Sequence, residues 1–178
     1  AIGGSSTING MVVIRGNSLD YDGWRQMGCE GWGYADVLPY FKKMETYSGG
    51  GDDFRGGSGP LKVHRSTPKD PLSQAFIKAG KEAGYQETSD ISGFCQEGFG
   101  IFDRTVFKGE RWSASRGYLD PVRDRKNLTI ITNALVCKLI FDDNTAKGVC
   151  YKNKRNEIIN VIAKKEVILS AGAVGSPH

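Results

Sequence analysis

The chain has 178 residues, of which 39% are hydrophobic and 25% charged, and its formal net charge is +4. This length can bury one domain-sized core, and the composition is typical of a globular protein rather than a disordered one. Basic residues are densest between positions 104 and 126, but acidic residues are interspersed among them. We therefore expect a solvated surface of mixed charge and no nucleic-acid partner.

The four cysteines and two histidines do not have the spacing of a metal site. No C-x-x-C pair occurs, and His64 and His178 are both far from every cysteine in the sequence. We expect no bound metal, and four reduced, mostly buried thiols at positions 29, 95, 137 and 150.

The ends of the sequence predict an internal piece of a longer enzyme. The chain begins with Ala1 directly on a glycine-rich motif and stops at His178 within a second motif. It has no signal peptide and no apolar run long enough to span a bilayer. We expect a cytoplasmic protein or one peripheral to the inner membrane, and the membrane association of the parent chain is left open.

The first sixteen residues allow two interpretations. Gly3 and Gly4 are followed by two serines, then by Asn9, Gly10 and an apolar run over 11–14. Glycines remove each Cβ from the backbone, and hydroxyl and amide groups supply hydrogen bonds, as a flat or phosphorylated cofactor requires. The same composition also fits an ordinary flexible turn.

Residues 19–60 predict two helices and a loop. The first covers 19–26 and is a short helix or a turn, and the second begins with Asp36 as N-cap, which places Pro39 in its first turn. Glycine dominates the stretch 48–60, which predicts a flexible surface loop that joins two subregions.

Residues 61–112 predict a strand, a helix and a hairpin. The strand covers 61–64, and the helix begins with Asp70 as N-cap and Pro71 as its first residue. An apolar stripe for core packing and a terminating glycine follow, and a hairpin over 99–112 turns at Lys108 and Gly109. The stripe consists of Leu72, Phe76, Ala79 and Ala83, and the terminating glycine is Gly84.

The last third of the chain predicts a short helix and then strands. Ser113 is expected to cap the helix, which runs through Leu119. Strands are predicted over 128–132, 135–141, 148–152, 158–163 and 166–170. The last contains the continuous apolar run 167–169, which is typical of a strand buried on both faces. It ends in small residues, where open α/β sheets bind ligands.

Two motifs at the ends of the chain resemble the signatures of the glucose–methanol–choline (GMC) flavoprotein oxidoreductases. Gly3-Gly4-Ser5-Ser6-Thr7-Ile8-Asn9-Gly10-Met11 is similar to the first signature, and the stretch from Ala171 to Pro177 is similar to the opening of the second. The likeness is greatest to the bacterial choline dehydrogenase-like branch. It continues between the two ends through 14–17, 20–24, 31–34, 37–41, 111–113 and 118–121.

The resemblance implies an α/β fold of mixed α+β character, which is part of a GMC-type FAD-binding fold with part of an antiparallel substrate-domain sheet. Residues 1–57 would form an extended FAD-binding segment. Residues 58–107 would belong to the substrate-binding domain, and 108–178 to the FAD-binding domain.

The resemblance also assigns cofactor-binding roles. Three groups of residues would hold FAD: Gly4 and Ser5 along the pyrophosphate; Asn9, Gly10, Met11 and Val12 against the isoalloxazine ring; and Val136, Ala171 and Gly172 around the adenosine and pyrophosphate. The backbone of Val136 would bind the adenine edge. Some members of the family attach the flavin through a histidine in the first motif. None occurs between Ser5 and Asn9, so we expect non-covalent FAD.

No catalytic residue can be assigned within the chain. The family's catalytic histidine is expected in a C-terminal segment outside these 178 residues, and neither His64 nor His178 matches its position. The strand–Gly-x-Gly-x-x-Gly–helix unit that makes the main pyrophosphate contact is also missing. We therefore expect residues 1–178 alone to have no turnover and to bind FAD weakly or not at all.

The implied activity is oxidation of the CH–OH group of a small-molecule alcohol by hydride transfer to flavin N5, with a quinone-like electron acceptor rather than oxygen. A non-flavin, β-rich module that binds small ligands is an alternative that residues 99–112 allow, but it leaves both glycine-rich ends unexplained. A nicotinamide-dependent dehydrogenase would need a complete dinucleotide fingerprint, which is absent.

Overall fold

A computed structural model describes residues 1–67 and 70–178. The chain divides into two compact units, Ala1–Arg123 and Asp124–His178, and each is described by itself. Helices and sheets are mixed, and the predicted α/β fold class is confirmed.

The first unit contains a four-stranded sheet with strand order β1-β4-β3-β2. The strands are β1 (Val12–Val13), β2 (Glu45–Tyr47), β3 (Leu61–Arg65) and β4 (Asp103–Arg104). β4 is antiparallel to both β1 and β3, whereas β2 is parallel to β3. The short strand β1, which follows the glycine-rich motif, is thereby joined to the predicted substrate-domain strand β3.

The register of this sheet places two rows of side chains on opposite faces. Val12, Arg104 and His64 lie opposite one another across β1, β4 and β3. The neighbouring row contains Asp103 and Arg65. Because successive side chains of a strand point to opposite faces, the two rows face opposite sides of the sheet. Asp103 is fully buried and Arg104 is exposed.

The helices of this unit are α1 (Ser18–Gln26), α2 (Tyr34–Met44) and α3 (Pro71–Glu82). The prediction of Asp36 as the N-cap of α2 is wrong, because the helix begins one turn earlier after Gly33. Asp36 accepts a hydrogen bond from the Gly33 amide instead, at 3.0 Å. Pro39 therefore lies inside the helix rather than in its first turn.

Helix α3 begins as predicted, but its apolar stripe is not buried. The Asp70 carboxylate accepts hydrogen bonds from the backbone amides of Leu72 and Ser73, and Gly84 after the helix has φ +89°. Leu72 and Phe76 are 75% and 66% exposed, so the prediction of core packing is wrong for them. Both line a cavity described below.

The predicted hairpin is present as β5 (Val106–Phe107) and β6 (Glu110–Arg111). Its turn is at Lys108 and Gly109, which both have positive φ. Beyond it, Ser113 Oγ accepts a hydrogen bond from the Arg116 amide at 3.4 Å. The helix expected there is a π-helical turn over Ser115–Leu119, and a 3₁₀ turn over Asp120–Val122 follows it.

The second unit is a three-stranded antiparallel meander followed by a short helix. Its elements are β7 (Leu135–Asp142), β8 (Thr145–Lys152), β9 (Ile158–Ile162) and α4 (Gly172–Gly175). Asp143 and Asn156 lie in the two connections and have φ near 50° and 62°, a conformation that Asp and Asn tolerate.

Two predicted strands in this unit are wrong. Residues 128–132 and 166–170 have no strand pairing in the part of the chain that the structure describes. Ile168 is 79% exposed, so the run 167–169 is not buried on both faces. An apolar run forms a strand only where a partner strand accepts its backbone hydrogen bonds, and here none does.

All four cysteines are free, but only Cys150 is buried, so the expectation of mostly buried thiols is wrong. Within residues 1–67 and 70–178 no group of His, Cys, Asp or Glu side chains could hold a metal ion. None of the helices described is long and apolar enough to cross a membrane.

Candidate cofactor site

The glycine-rich motif forms a compact loop around a 3₁₀ turn. Gly4–Thr7 is the turn, and Gly3 before it has φ +92°. A Cβ on Gly3 would lie 2.6 Å from Thr7 Oγ1, so both the conformation and the space require glycine there. The loop is therefore an ordered structure rather than the flexible turn that composition also allowed.

The inward side of the loop is held by its hydroxyl groups. Ser6 Oγ donates to the Gly3 carbonyl and accepts a hydrogen bond from the Ala114 amide at 2.9 Å. Thr7 Oγ1 donates to the Ile2 carbonyl at 2.8 Å. Neither of these hydroxyl residues was predicted to bind the cofactor, and both are used for packing.

Arg111 holds the second half of the loop. Its Nη1 atom lies 2.7 Å from the Asn9 carbonyl oxygen, 2.9 Å from Asn9 Oδ1 and 3.3 Å from the Ser6 carbonyl oxygen. Asn9 Oδ1 also accepts a hydrogen bond from the Met11 amide at 3.0 Å. Arg111 and the loop are more than 100 positions apart in the sequence, so the hairpin β5–β6 brings this arginine to the motif.

The predicted cofactor residues of this loop form its outward side. Gly4, Ser5, Asn9, Gly10 and Val12 are all exposed, and Met11 is half-buried. Nothing lies within 4 Å of the position of a Cβ on Gly4 or Gly10. An open, glycine-containing surface that is held from behind fits a flat ring system, so the residues present are compatible with the predicted group.

The loop leads into the sheet through a strained residue. Met11 has φ +63°, which is uncommon for a residue other than glycine. Its carbonyl accepts a hydrogen bond from the Thr105 amide at 2.8 Å. Val12 then pairs with Arg104, and both residues are exposed on the same face of the sheet.

The remaining predicted cofactor residues lie in the second unit. Val136 is in β7, which is an edge strand of the meander, and the ladder to β8 is irregular between Val136 and Lys138. An edge strand leaves alternate backbone groups outside the ladder, as binding an adenine edge would require. The Ala171 amide donates to Ser176 Oγ at 2.9 Å, and Gly172 has φ +88° at the start of α4. The structure thus groups the six residues from Gly4 to Val12 and leaves these three in a separate unit.

A buried cluster of charges lies on the face of the sheet that carries Asp103. Arg55 is fully buried, and its Nε and Nη1 atoms lie 2.9 Å from Glu45 Oε1 and 2.8 Å from Asp103 Oδ2. Nη1 also lies 2.8 Å from Asp90 Oδ1, and the guanidinium is 3.8 Å from the centre of the Tyr47 ring. Arg55 comes from the glycine-rich stretch 48–60, so the prediction of a flexible surface loop is wrong there.

The same cluster anchors the residue that follows β1. Arg15 Nη2 lies 2.5 Å from Glu45 Oε1, and Arg15 Nη1 donates to the Phe54 carbonyl. Arg65 Nε adds a contact of 3.2 Å to Asp103 Oδ1. Three arginines, Arg15, Arg55 and Arg65, therefore balance the three acids Glu45, Asp90 and Asp103.

Burial and hydrogen bonding act in opposite directions on these arginines. Burial lowers the pKa of Arg15 despite the neighbouring charge of Glu45. Burial alone would also lower the pKa of Arg55, but hydrogen bonds to Glu45 and Asp103 outweigh it and raise this pKa above its ordinary value. Arg55 therefore stays positively charged within the cluster.

A cavity of about 1240 Å³ lies on the side of the sheet that carries His64 and Arg104. Helix α3 contributes Leu72 and Phe76 to its wall, and the segment after Gly98 contributes Phe99 and Phe102, among others. Val12 lies on the same face as Arg104. The cavity is mostly apolar, with a guanidinium and an imidazole among its polar groups.

Sequence reasoning missed the arginines that support the site. Arg15 and Arg111 both lay within stretches that carried the family resemblance, but a single sequence does not show which distant partner an arginine meets. Arg15 is 7% exposed, and the apolar run over 11–14 just before it is the sequence signal that could have indicated its burial.

The family model described as GMC oxidoreductase matches residues 1–178. The chain belongs to the GMC oxidoreductase family. Proteins named oxygen-dependent choline dehydrogenase from Pseudomonas fluorescens and Staphylococcus xylosus are 50% and 51% identical to it over 99% of the chain. The chain spans 32% of the length of each of these curated relatives.

Solved GMC-like structures have the same fold over nearly all of these residues. An FAD-dependent oxidoreductase from Chaetomium thermophilum is 33% identical, with a TM-score of 0.90, over 97% of this chain and 32% of its own. Pyridoxine 4-oxidase from Mesorbium loti is 32% identical, with a TM-score of 0.86, over 97% of this chain and 34% of its own. The resemblance to the GMC family that the sequence motifs indicated is confirmed.

Proposed function

We propose that these residues are part of an FAD-dependent oxidoreductase that oxidises the CH–OH group of a small alcohol, as in choline dehydrogenase-like enzymes. Two findings support this: membership of the GMC family, and identity of about half to relatives named choline dehydrogenases. The single structural observation that carries the proposal is the loop Gly4–Val12, because its packing residues face inward and its predicted cofactor residues face outward.

The chain's own residues would bind and orient the cofactor. We assign Gly4 and Ser5 to the pyrophosphate and the exposed stretch Asn9–Val12 to the isoalloxazine ring. Val136, Ala171 and Gly172 are assigned to the adenosine and pyrophosphate. The assignment of 1–57 and 108–178 to FAD binding and of 58–107 to substrate binding follows the same proposal.

A bound flavin would accept a hydride at N5, while a histidine outside these residues would take the proton of the substrate hydroxyl. The part of this chain nearest to the substrate would be the face of the sheet that carries Val12 and Arg104. The apolar side chains of the adjoining cavity, Phe76, Phe99 and Phe102, would exclude water from an alcohol held there. The stretch Ser5–Asn9 contains no histidine, which supports non-covalent attachment.

Gly10 offers the sharpest test of the cofactor assignment. Its φ is not positive and a Cβ there would meet nothing within 4 Å, so Gly10→Val should leave the fold of the protein unchanged. If the isoalloxazine ring lies against Gly10, the two added methyl groups would occupy its place. We expect the full-length variant to lose most of its FAD, measured as the ratio of absorbance near 450 nm to that at 280 nm.

The matched control is Gly23→Val, because Gly23 lies in α1 and its Cβ position is also open. This variant should retain FAD as the unaltered protein does. Equal flavin content in both variants would contradict the cofactor assignment. Absence of flavin from the unaltered full-length protein, together with no FAD binding by it, would overturn the proposed function as a whole.

The electron acceptor needs a separate experiment. The sequence prediction is a quinone-like acceptor, whereas the relatives from Pseudomonas and Staphylococcus carry "oxygen-dependent" in their names. An oxygen electrode would decide between the two during alcohol oxidation. Rapid oxygen consumption with peroxide release would show that the quinone-like acceptor is the wrong choice.

A further inference from the structure

We propose that Arg111 is a positioning residue for the cofactor, and that it acts by fixing the orientation of the Asn9 carboxamide. This inference rests on the proposed function, since it takes the outward side of the loop as the flavin-binding surface. Nothing in the family resemblance assigned a role to Arg111.

The argument begins with the two groups that contact Asn9 Oδ1. Arg111 Nη1 lies 2.9 Å away and the Met11 amide nitrogen 3.0 Å away. A guanidinium and a backbone N–H can only donate hydrogen bonds, so the atom between them must be the acceptor of the carboxamide. The orientation of the side chain is thus decided by its partners: the oxygen is held against Arg111 and Met11.

The consequence concerns the other end of the carboxamide. With Oδ1 engaged twice, the Nδ2 group of the exposed Asn9 keeps two donors for a ligand, and the open Cβ position of the neighbouring Gly10 leaves room for one. A surface that presents an N–H donor beside a glycine suits a ring with acceptor nitrogen and carbonyl oxygen atoms. We infer that Asn9 Nδ2 donates a hydrogen bond to such an acceptor of the isoalloxazine ring.

Arg111 is well placed to keep this arrangement fixed. The same Nη1 atom also contacts the carbonyl oxygens of Ser6 and Asn9, so one guanidinium restrains the main chain and the side chain together. Arg111 itself is half-buried and lies in β6, where it pairs with Val106. Without it, Asn9 Oδ1 would keep only the Met11 amide, and the carboxamide could rotate.

Two variants of the full-length protein test the two halves of the inference. Arg111→Met removes the donors but keeps an unbranched side chain, and Asn9→Asp keeps an oxygen for Arg111 but replaces the outward donors by an acceptor. We expect each variant to raise the Kd of the apoprotein for FAD about tenfold or more. Each variant loses one hydrogen bond to the ligand and leaves its polar partner unpaired, and a loss of this kind weakens binding by about that factor. Asn9→Asp should also lower the midpoint reduction potential of the bound flavin, because a negative charge beside the ring disfavours added electrons.

The matched control is Arg116→Met. Arg116 is five positions away and pairs with Glu110 rather than with the loop, so FAD affinity should change by less than about twofold. Arg111→Lys should recover part of the affinity because a positively charged donor group remains. In the double variant Arg111→Met with Asn9→Ala, the loss should be smaller than the sum of the losses in the single variants Arg111→Met and Asn9→Ala, since both act on the same hydrogen bond.

The readouts separate a positioning role from a purely structural one. If Arg111 only supports the fold, Arg111→Met would lower the melting temperature of the apoprotein but leave the visible spectrum and the reduction potential of any bound flavin unchanged. That result would overturn the inference. It is overturned equally if Asn9→Asp binds FAD with unchanged affinity and potential. Both results leave the proposed function intact, whereas an unaltered protein that does not bind FAD removes the proposed function itself.

Discussion

Removal of Arg55 should be among the most damaging single changes to the first unit. Its side chain is fully buried and is shared by Glu45, Asp90 and Asp103. The change Arg55→Met keeps much of the volume but removes the positive charge. Glu45 and Asp103 are 1% and 0% exposed, so water cannot replace the lost hydrogen bonds.

The expected magnitude follows from this burial. Removal of one partner from a buried ion pair typically costs about 3–5 kcal/mol, because an uncompensated charge is left in a poorly solvated place. Arg65→Met is the matched control, since Arg65 contacts the same Asp103 but its side chain is 33% exposed. An exposed or partly exposed pair contributes about 1 kcal/mol or less.

The assay is urea denaturation of the full-length protein and both variants, followed by circular dichroism and tyrosine and tryptophan fluorescence. We expect the free energy of unfolding to fall several times further for Arg55→Met than for Arg65→Met. In the double variant Arg55→Met with Asp103→Asn, part of the loss should be recovered, because a neutral amide no longer needs the positive charge and the other partner of Asp103, Arg65, is 33% exposed. Equal effects of Arg55→Met and Arg65→Met would refute the assignment of Arg55 as the centre of the cluster.

Two further predictions concern the same region. In Gly56→Ala a Cβ would lie 1.9 Å from a main-chain carbonyl oxygen of α2, so we expect the free energy of unfolding in urea to fall by at least about 2–3 kcal/mol. Gly23→Ala, where the Cβ position is open, should not destabilise the protein. Equal stability of the two variants would contradict the close packing at Gly56. Burial raises the pKa of the Tyr47 phenol above its usual value near 10, so stability is intact below about pH 10 and is lost as pH rises through the folded pKa. Tyr47→Phe should reduce this alkaline loss when unfolding is measured from pH 8 to 11, and an unchanged slope would contradict the prediction.

Features set by neighbouring residues could be predicted from the sequence. The start of α3 is one case, because the Asp70 carboxylate accepts hydrogen bonds from the amides of Leu72 and Ser73, two and three residues further on. The two turns of the meander are another, since Asp143 and Asn156 supply the positive φ themselves. The family signature at Gly3–Met11 was likewise visible, and the structure shows that its glycines and hydroxyls have distinct positions.

Features that depend on distant partners could not be predicted. Arg55 meets Asp103 from 48 positions away, and Arg111 meets Asn9 from 102 positions away. A glycine-rich stretch around Arg55 indicates a loop, and only the tertiary structure shows that this loop closes over Glu45. The run 166–170 failed for the same reason, because strand propensity does not state whether a partner strand is present.

Apart from Asn9, which belongs to both, the supports of the motif and its ligand surface are made by different residues, and this separation has a consequence for mutagenesis. Arg111 holds the loop through Ser6 and Asn9, while Arg15 holds the segment after β1 through Glu45. The exposed glycine at position 10 contributes neither contact nor strained conformation. Changes at Gly10 should therefore alter binding at constant stability, and changes at Arg15 should alter stability first. If changes at Gly10 and changes at Arg15 lowered FAD binding and the free energy of unfolding to the same extent, the cofactor loop would not be preformed.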